Sequence, residues 1–368
     1  MRRGTHTRLY SQAGAGILRA RVNPHVAAWA RRTRPRRPAG RGLRARRHLA
    51  AEHDGPLRCG PVPGLLDKRL VFVTGKGGVG KSTVAAVLGM LAARRGLRTV
   101  VAELSGQERI QRLFEHGGEH FHEVEVAPDL FTISVDPDHA MDEYLRVKVG
   151  AVGHMLGSSR LFHAFTMATP GMRELLSLGK VWELSQPQRR TEGATPYDLV
   201  ICDAPATGHG VGLLKTPRTF AEIARVGPIA HQGRQIANTI ANRKFTGVVA
   251  VATPEEMPVN ETLSLHESLA EDGLALDLVV LNALYPMRFD DREVDQLATA
   301  LRRARSPLSR SALGAALSEH ARAQTQREQQ GRLRAALDGR LVALPFLFAD
   351  HLGPEQVEDL ADALEPQL

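Results

Sequence analysis

Arg69-Leu70-Val71-Phe72-Val73-Thr74-Gly75-Lys76-Gly77-Gly78-Val79-Gly80-Lys81-Ser82-Thr83-Val84 decides the fold. A short β-branched and apolar run leads into a glycine-rich turn. Behind the turn Val84, Val87, Leu88, Leu91 and Ala92 recur at helical spacing, predicting a helix that ends near Gly96 with one face on a sheet. Strand, loop and helix in this order, with Gly75-x4-Gly80-Lys81-Ser82 at the junction, form a phosphate-binding P-loop. Glycines let successive backbone N–H groups turn onto phosphate oxygens without a side-chain clash, and the helix start adds its positive end. An ordinary strand-to-helix turn has no use for Lys followed by Ser. The expected cradle is Gly75, Lys76, Gly77, Gly78, Val79 and Gly80, with Lys81 on the terminal phosphates, Ser82 offering its hydroxyl to Mg2+ and Thr83 bonding the first phosphate.

Outward from this loop, apolar runs at 69–74, 99–103, 131–136, 198–203, 247–253, 276–284 and 340–345 alternate with longer helical patterns. They are continuous rather than alternating, as strands covered on both faces are, so an α/β fold with a mostly parallel, doubly wound sheet is expected. A long connection at about 137–197, with Met155, Leu156, Leu161, Phe162, Phe165, Met167, Met172, Leu175, Leu176, Leu178, Val181, Trp182 and Leu184, is expected to be an inserted helical subdomain. The fourth predicted strand ends in Asp203, where a P-loop site needs a carboxylate beside the metal; a plain strand-end cap is the competing reading.

The second lysine narrows the family. Lys76-Gly77-Gly78-Val79-Gly80-Lys81-Ser82 resembles the deviant P-loop of the MinD/ArsA class, in which that lysine reaches nucleotide across a dimer interface. A solvated loop charge is the alternative for Lys76. Asp203-Ala204-Pro205-Ala206-Thr207-Gly208-His209-Gly210 looks like the phosphate-sensing segment of the ArsA branch, which also includes ATPases that target tail-anchored membrane proteins. His209 reads first as a loop histidine without catalytic duty. Leu175 to Trp182 and Glu255 to Thr262 also look familial, the latter closest to bacterial ArsA-like proteins.

The resemblance runs over 69 to about 365 and implies a P-loop NTPase of the ArsA-like family, ATP and Mg2+ as cofactors, and a homodimer or a heterodimer with a paralogue. It further implies that Asn282 reads the adenine edge and that Leu344-Pro345-Phe346 covers the base. Asn282 ending a strand is also a common turn residue. One departure stands out. Relatives place a water-orienting aspartate after the second strand, where this chain has Ser105 in Ala102-Glu103-Leu104-Ser105-Gly106-Gln107. A serine does not accept a proton at neutral pH, so Glu103 or Glu108 would have to substitute; Glu103 as a strand-end charge is the plainer alternative.

Composition limits the rest. The chain of 368 residues has net charge +8, but residues 1–50 hold 14 Arg and no Asp, Glu or Lys, leaving 34 basic against 40 acidic groups, or −6, for the remainder. The basic signature therefore belongs to a segment at about 1–60, read as disordered and resembling sequence translated upstream of a true start codon; a transit or anion-binding tail is the alternative. A core at 61–368 of charge −6 argues against nucleic-acid binding through the core. Cys59 and Cys202 make no CxxC, which fits a reducing, cytoplasmic setting. No apolar run is long enough to span a bilayer. The helical connection lacks the cysteines with which arsenite-binding relatives hold the metalloid, so arsenite efflux is not expected. The expected function is a dimeric ATPase that opens and closes the helical subdomain on a client. A hydrolysis-poor ATP-binding subunit regulating an intact homologue is the runner-up. The Met and aromatic stripe reads first as core and second as a client groove.

Overall fold

In the computed structural model the described residues are 64–104, 108–117, 121–145, 169–191, 193–205, 210–224 and 228–368. The chain divides between Gly55 and Pro56, and everything below belongs to the second unit. The segment 1–60, Ser105, Thr207 to His209, and the stripe residues Met155, Leu156, Leu161, Phe162, Phe165 and Met167 lie outside the described residues.

Eight strands form one sheet: β1 (Leu70–Thr74), β2 (Thr99–Glu103), β3 (Val124–Ala127), β4 (Leu130–Ser134), β5 (Leu199–Asp203), β6 (Thr246–Ala252), β7 (Leu278–Leu284) and β8 (Leu341–Pro345). Their order is β3-β4-β2-β5-β1-β6-β7-β8, and every neighbouring pair is parallel except β3–β4. The sequence reading anticipates seven of these. It misses β3, a four-residue edge strand in which Val126 alone is buried, so no continuous apolar run announces it.

Alternate residues of β1 feed two cores. Val71 and Val73 face a layer built by α1 (Lys81–Arg94) and a C-terminal helix, Pro354–Leu364, while Leu70 and Phe72 face the opposite layer. That second layer comprises helices Met172–Leu184, Gly210–Ala224, Pro228–Ala241, Glu256–Glu271 and the end of Pro307–Ala336. Helices on both faces of the sheet make the fold doubly wound. In chain order the helices are labelled α1, α2 (Arg109–Leu113), α3 (Met172–Leu184), α4 (Gly210–Ala224), α5 (Pro228–Ala241), α6 (Glu256–Glu271), α7 (Asp291–Arg303), α8 (Pro307–Ala336) and α9 (Pro354–Leu364), and residues 137–145 are helical as well.

Two expectations change in detail. α1 is buried all round from Val84 to Ala92, not on one face, because α9 covers the side turned away from the sheet. In the described half of the inserted connection, Met172, Leu175, Leu178, Val181 and Leu184 are buried on the sheet, so this part of the stripe is core.

α3 is also fixed by charge. The Arg189 guanidinium, 1% exposed, bonds Glu183 of α3 at 2.9 Å and Glu123 at 2.6 Å, and Tyr197 donates to Glu123 at 2.6 Å. Burial alone would raise both carboxyls, but the bonds from Arg189 outweigh it and hold Glu123 and Glu183 below their ordinary range. This cluster ties the start of β3, α3 and the start of β5 together.

Candidate functional site

Parallel strands put their C-terminal ends on one edge of the sheet, and β1 sits between β5 and β6 at its centre. The P-loop leaves that edge, where ligands of open α/β sheets bind. Two glycines are required by its path. Gly75 has φ +144, and a Cβ there would lie 2.3 Å from the Val251 carbonyl oxygen of β6. Gly80, at φ +92, caps α1, and its Cβ would lie 2.3 Å from the Asn282 amide nitrogen. At Gly78, by contrast, a Cβ would meet no atom within 4 Å, so the loop has no packed neighbour there. α1 has no side-chain cap, which leaves its first N–H groups directed at the loop.

Register brings the remaining groups to the same place. Val73 of β1 pairs with Asp203 of β5, and Glu103 of β2 pairs with Asp203 from the other side. Ser82, second residue of α1, donates its hydroxyl to Asp203 Oδ2 at 2.6 Å. Asp203 is 3% exposed and its Oδ1 has no hydrogen-bond partner. Burial pushes the carboxyl up to about 6, with Glu103 adding to the shift and Ser82, Lys81 and Arg109 opposing it. A buried carboxylate oxygen without a donor, beside a hydroxyl and a glycine-rich phosphate cradle, is what a hard divalent cation needs. The donor set fits Mg2+ held by Ser82 with Asp203 behind it.

Lys81, 8% exposed, folds back and donates to the Lys76 carbonyl at 2.9 Å. Burial lowers its pKa, partly offset by Asp203. Lys76 reaches the other way: its Nζ pairs with Glu261 of α6 at 3.0 Å and touches the Met257 sulfur. Glu261 belongs to the Glu255 to Thr262 segment, so two segments singled out separately in the sequence meet here. Thr83 is half-buried on the first turn of α1.

Asn282 donates its amide to the Val79 carbonyl at 2.9 Å, which places it on the P-loop itself. A shift in the β7–β8 pairing between Leu281 and Leu284, with Ala283 at φ +61, turns the strand end here, as bulges do beside binding sites. Beyond it Phe346 donates its N–H to the Leu284 carbonyl and stacks on Tyr285, with ring centroids 4.6 Å apart. Pro345 is exposed at the end of β8. Tyr285 carried no signal in the sequence, since its partnership with Phe346 exists only once β7 and β8 pair.

Glu103 is 1% exposed and accepts the backbone N–H groups of Arg109 and Ile110 at 3.2 and 3.3 Å. Its carboxylate anchors the start of α2 to the strand end. Sequence reasoning missed Arg109, whose charge acts on both Lys81 and Asp203.

A strand, a glycine nest opening a buried helix, and a Ser–Asp pair at the switch of strand order define a P-loop NTPase. The comparisons with known proteins narrow this class: the sequence model for the anion-transporting ATPase family matches residues 68–227 and 222–305, and the chain belongs to that family. It is 29% identical over 238 residues to the ATPase BagA of Mycobacterium tuberculosis, covering 62% of this chain and 69% of that protein. A putative arsenical pump-driving ATPase of Halobacterium salinarum is 26% identical over 239 residues, 61% of this chain and 36% of that one. An arsenical pump-driving ATPase of Acidiphilium multivorum is 27% identical over 253 residues, 63% of this chain and 42% of that one. The chain thus spans less than half the length of these two. Membership assigns ATPase activity at the level of the family. No described helix is long and apolar enough to cross a membrane.

Proposed function

We propose that this chain binds ATP with Mg2+ at the loop of Gly75 to Ser82, hydrolyses it, and works as a dimer whose nucleotide state controls a helical client-binding segment. The observation behind this reading is the Ser82–Asp203 pair, whose second carboxylate oxygen lacks a donor beside the glycine nest. Mg2+, when bound, would neutralise charge on the outer phosphates. The chain's own groups do the rest. The N–H groups of Gly77 to Lys81 and the start of α1 bind phosphate oxygens, Lys81 leaves the Lys76 carbonyl for the outer phosphates, and Thr83 bonds the first phosphate. Asp203 orients the Ser82 hydroxyl. Asn282 holds the loop against β7 and stands beside the base, which Pro345 and Phe346 cover. Lys76, now held by Glu261, is the group that would cross to a second subunit. The client segment belongs to the connection at about 137–197, of which Met172, Leu175, Leu178, Val181 and Leu184 serve as core.

A weakly hydrolysing regulatory subunit is the second reading. Its support is Glu103: a carboxylate bonded to the N–H groups of Arg109 and Ile110 is poorly placed to orient water in place of the missing aspartate. Steady-state turnover separates the two. Wild-type protein with Mg-ATP should turn over at a rate typical of slow motor ATPases, and Ser82→Ala should lower it by about 10-fold or more at saturating Mg2+. Wild-type turnover indistinguishable from Ser82→Ala would favour the regulatory reading.

A further inference from the structure

β7 ends at the edge of the sheet that carries the P-loop, and α7 and α8 follow it before β8 starts at the opposite edge. Two contacts fix the level at which α8 passes the strand ends. Gln326 accepts the Tyr285 N–H at 2.8 Å just past β7, and Glu319 pairs with Arg288 at 2.6 Å. The buried residues of α8 all lie from His320 onward, and α7 buries none. At a helical rise of about 1.5 Å per residue, Pro307 stands roughly 28 Å beyond Gln326, on the side away from β8. The two helices pair with each other, and their Val294, Leu297, Leu301, Leu313 and Leu317 are half-buried. Together they make an arm supported at its base.

The tip of this arm differs in chemistry from the body. Residues 296–318 hold Arg302, Arg303, Arg305 and Arg310 and neither Asp nor Glu, in a chain whose residues beyond 50 total −6. All four arginines are exposed. Arg302 bonds the Thr299 hydroxyl and Arg310 the Ala304 carbonyl, and none of the four meets a carboxylate among the described residues. Amid them Leu308 is 80% exposed, more than any other large apolar side chain described. Uncompensated guanidinium groups suit phosphate, whose oxygens match their fork. An apolar side chain held out among them calls for an apolar phase close behind those phosphates. A nucleic-acid backbone supplies the phosphates alone. A bilayer containing anionic lipid supplies both, with phosphate at its surface and acyl chains beneath.

We infer that the tip of the α7–α8 arm is a docking site for an anionic phospholipid surface, with Leu308 entering below the head groups and Arg302, Arg303, Arg305 and Arg310 on the lipid phosphates. The arm rises from the edge that carries the P-loop, so a docked chain turns that edge toward the membrane.

The Arg-rich segment at 1–60 would attract anionic vesicles by charge alone, so the experiment reads the tip itself. The full chain carries Cys59→Ser and Ser309→Cys, and an environment-sensitive fluorophore is attached at position 309; the native Cys202 is buried. With vesicles of phosphatidylcholine and phosphatidylserine at roughly three to one, emission should shift to the blue. Partition read from this shift should exceed that for phosphatidylcholine alone by about 10-fold or more and fall as salt rises. Arg303→Glu with Arg305→Glu should abolish the shift, and Leu308→Ser should weaken partition by about 5-fold. Arg334→Glu, exposed at the other end of α8, should leave it unchanged. Vesicle binding without a shift at position 309, or a shift that survives Arg303→Glu with Arg305→Glu, would overturn the inference. So would an equal shift on both kinds of vesicle, or a shift with duplex DNA and none with vesicles.

Discussion

Asp203 shows at the scale of one residue how a site is built against the stability of its fold. A carboxyl 3% exposed and raised to about 6 is uncomfortable as an anion in the ligand-free protein. Its folded pKa lies above the unfolded value of 3.8, so the stability it contributes is fully present below about pH 4 and is lost as pH rises through about 6. Asp203→Asn should therefore stabilise the ligand-free protein at pH 7 by about 1–2 kcal/mol, on the order of 2–6 °C in thermal melts, while removing most Mg-dependent turnover. The gain should vanish near pH 4. Melts of wild type and variant at both pH values check it; a variant less stable at pH 7 would show that the carboxylate is satisfied without a cation.

At the scale of elements, α3 is pinned to the sheet by apolar packing on one side and by Arg189 with Glu183 and Glu123 on the other. The depressed carboxyls contribute stability above their unfolded value of 4.5 that is lost as pH falls through their folded values. Replacing Arg189 by Met leaves the buried Glu183 with Lys180 at 3.2 Å but without its bonded guanidinium, and the cost should be about 2–3 kcal/mol at pH 7. The difference from wild type should shrink as pH falls below 4.5, where protonated carboxyls no longer need the guanidinium. Denaturant titrations at pH 7 and 4 measure it. Nothing in the sequence marks this cluster, because Glu123, Glu183, Arg189 and Tyr197 come together only through the sheet order. The P-loop, the strands flanking it and Asp203 were legible for the opposite reason: their meaning lies in local order, with continuous apolar runs, a fixed glycine spacing and a carboxylate at a strand end. β3 was not, having one buried residue in four, and neither was Tyr285, whose stacking on Phe346 depends on the pairing of β7 with β8.

For the whole molecule, association is the open property of the proposal, and the structure gives it a handle. Lys76 sits on Glu261 of its own chain, an exposed pair worth little by itself. Phosphates of a facing subunit offer more charge than one carboxylate, so nucleotide should draw Lys76 away and link two chains. Sedimentation with a slowly hydrolysed ATP analogue should show a dimer for wild type, alone or with a paralogue. Lys76→Ala should weaken association by about 10-fold while largely sparing ATP affinity, and Glu261→Gln should strengthen it modestly. Association independent of both nucleotide and Lys76 would remove the lysine from the interface. All of this depends on the loop of Gly75 to Ser82 holding nucleotide, and one measurement reaches that directly: calorimetric titration of Mg-ATP into the full wild-type chain and into Lys81→Ala. Saturable one-to-one binding in the wild type, weakened by about 100-fold or more in the variant with its melting temperature unchanged, is the predicted result. Equal affinity in the two proteins would contradict the account.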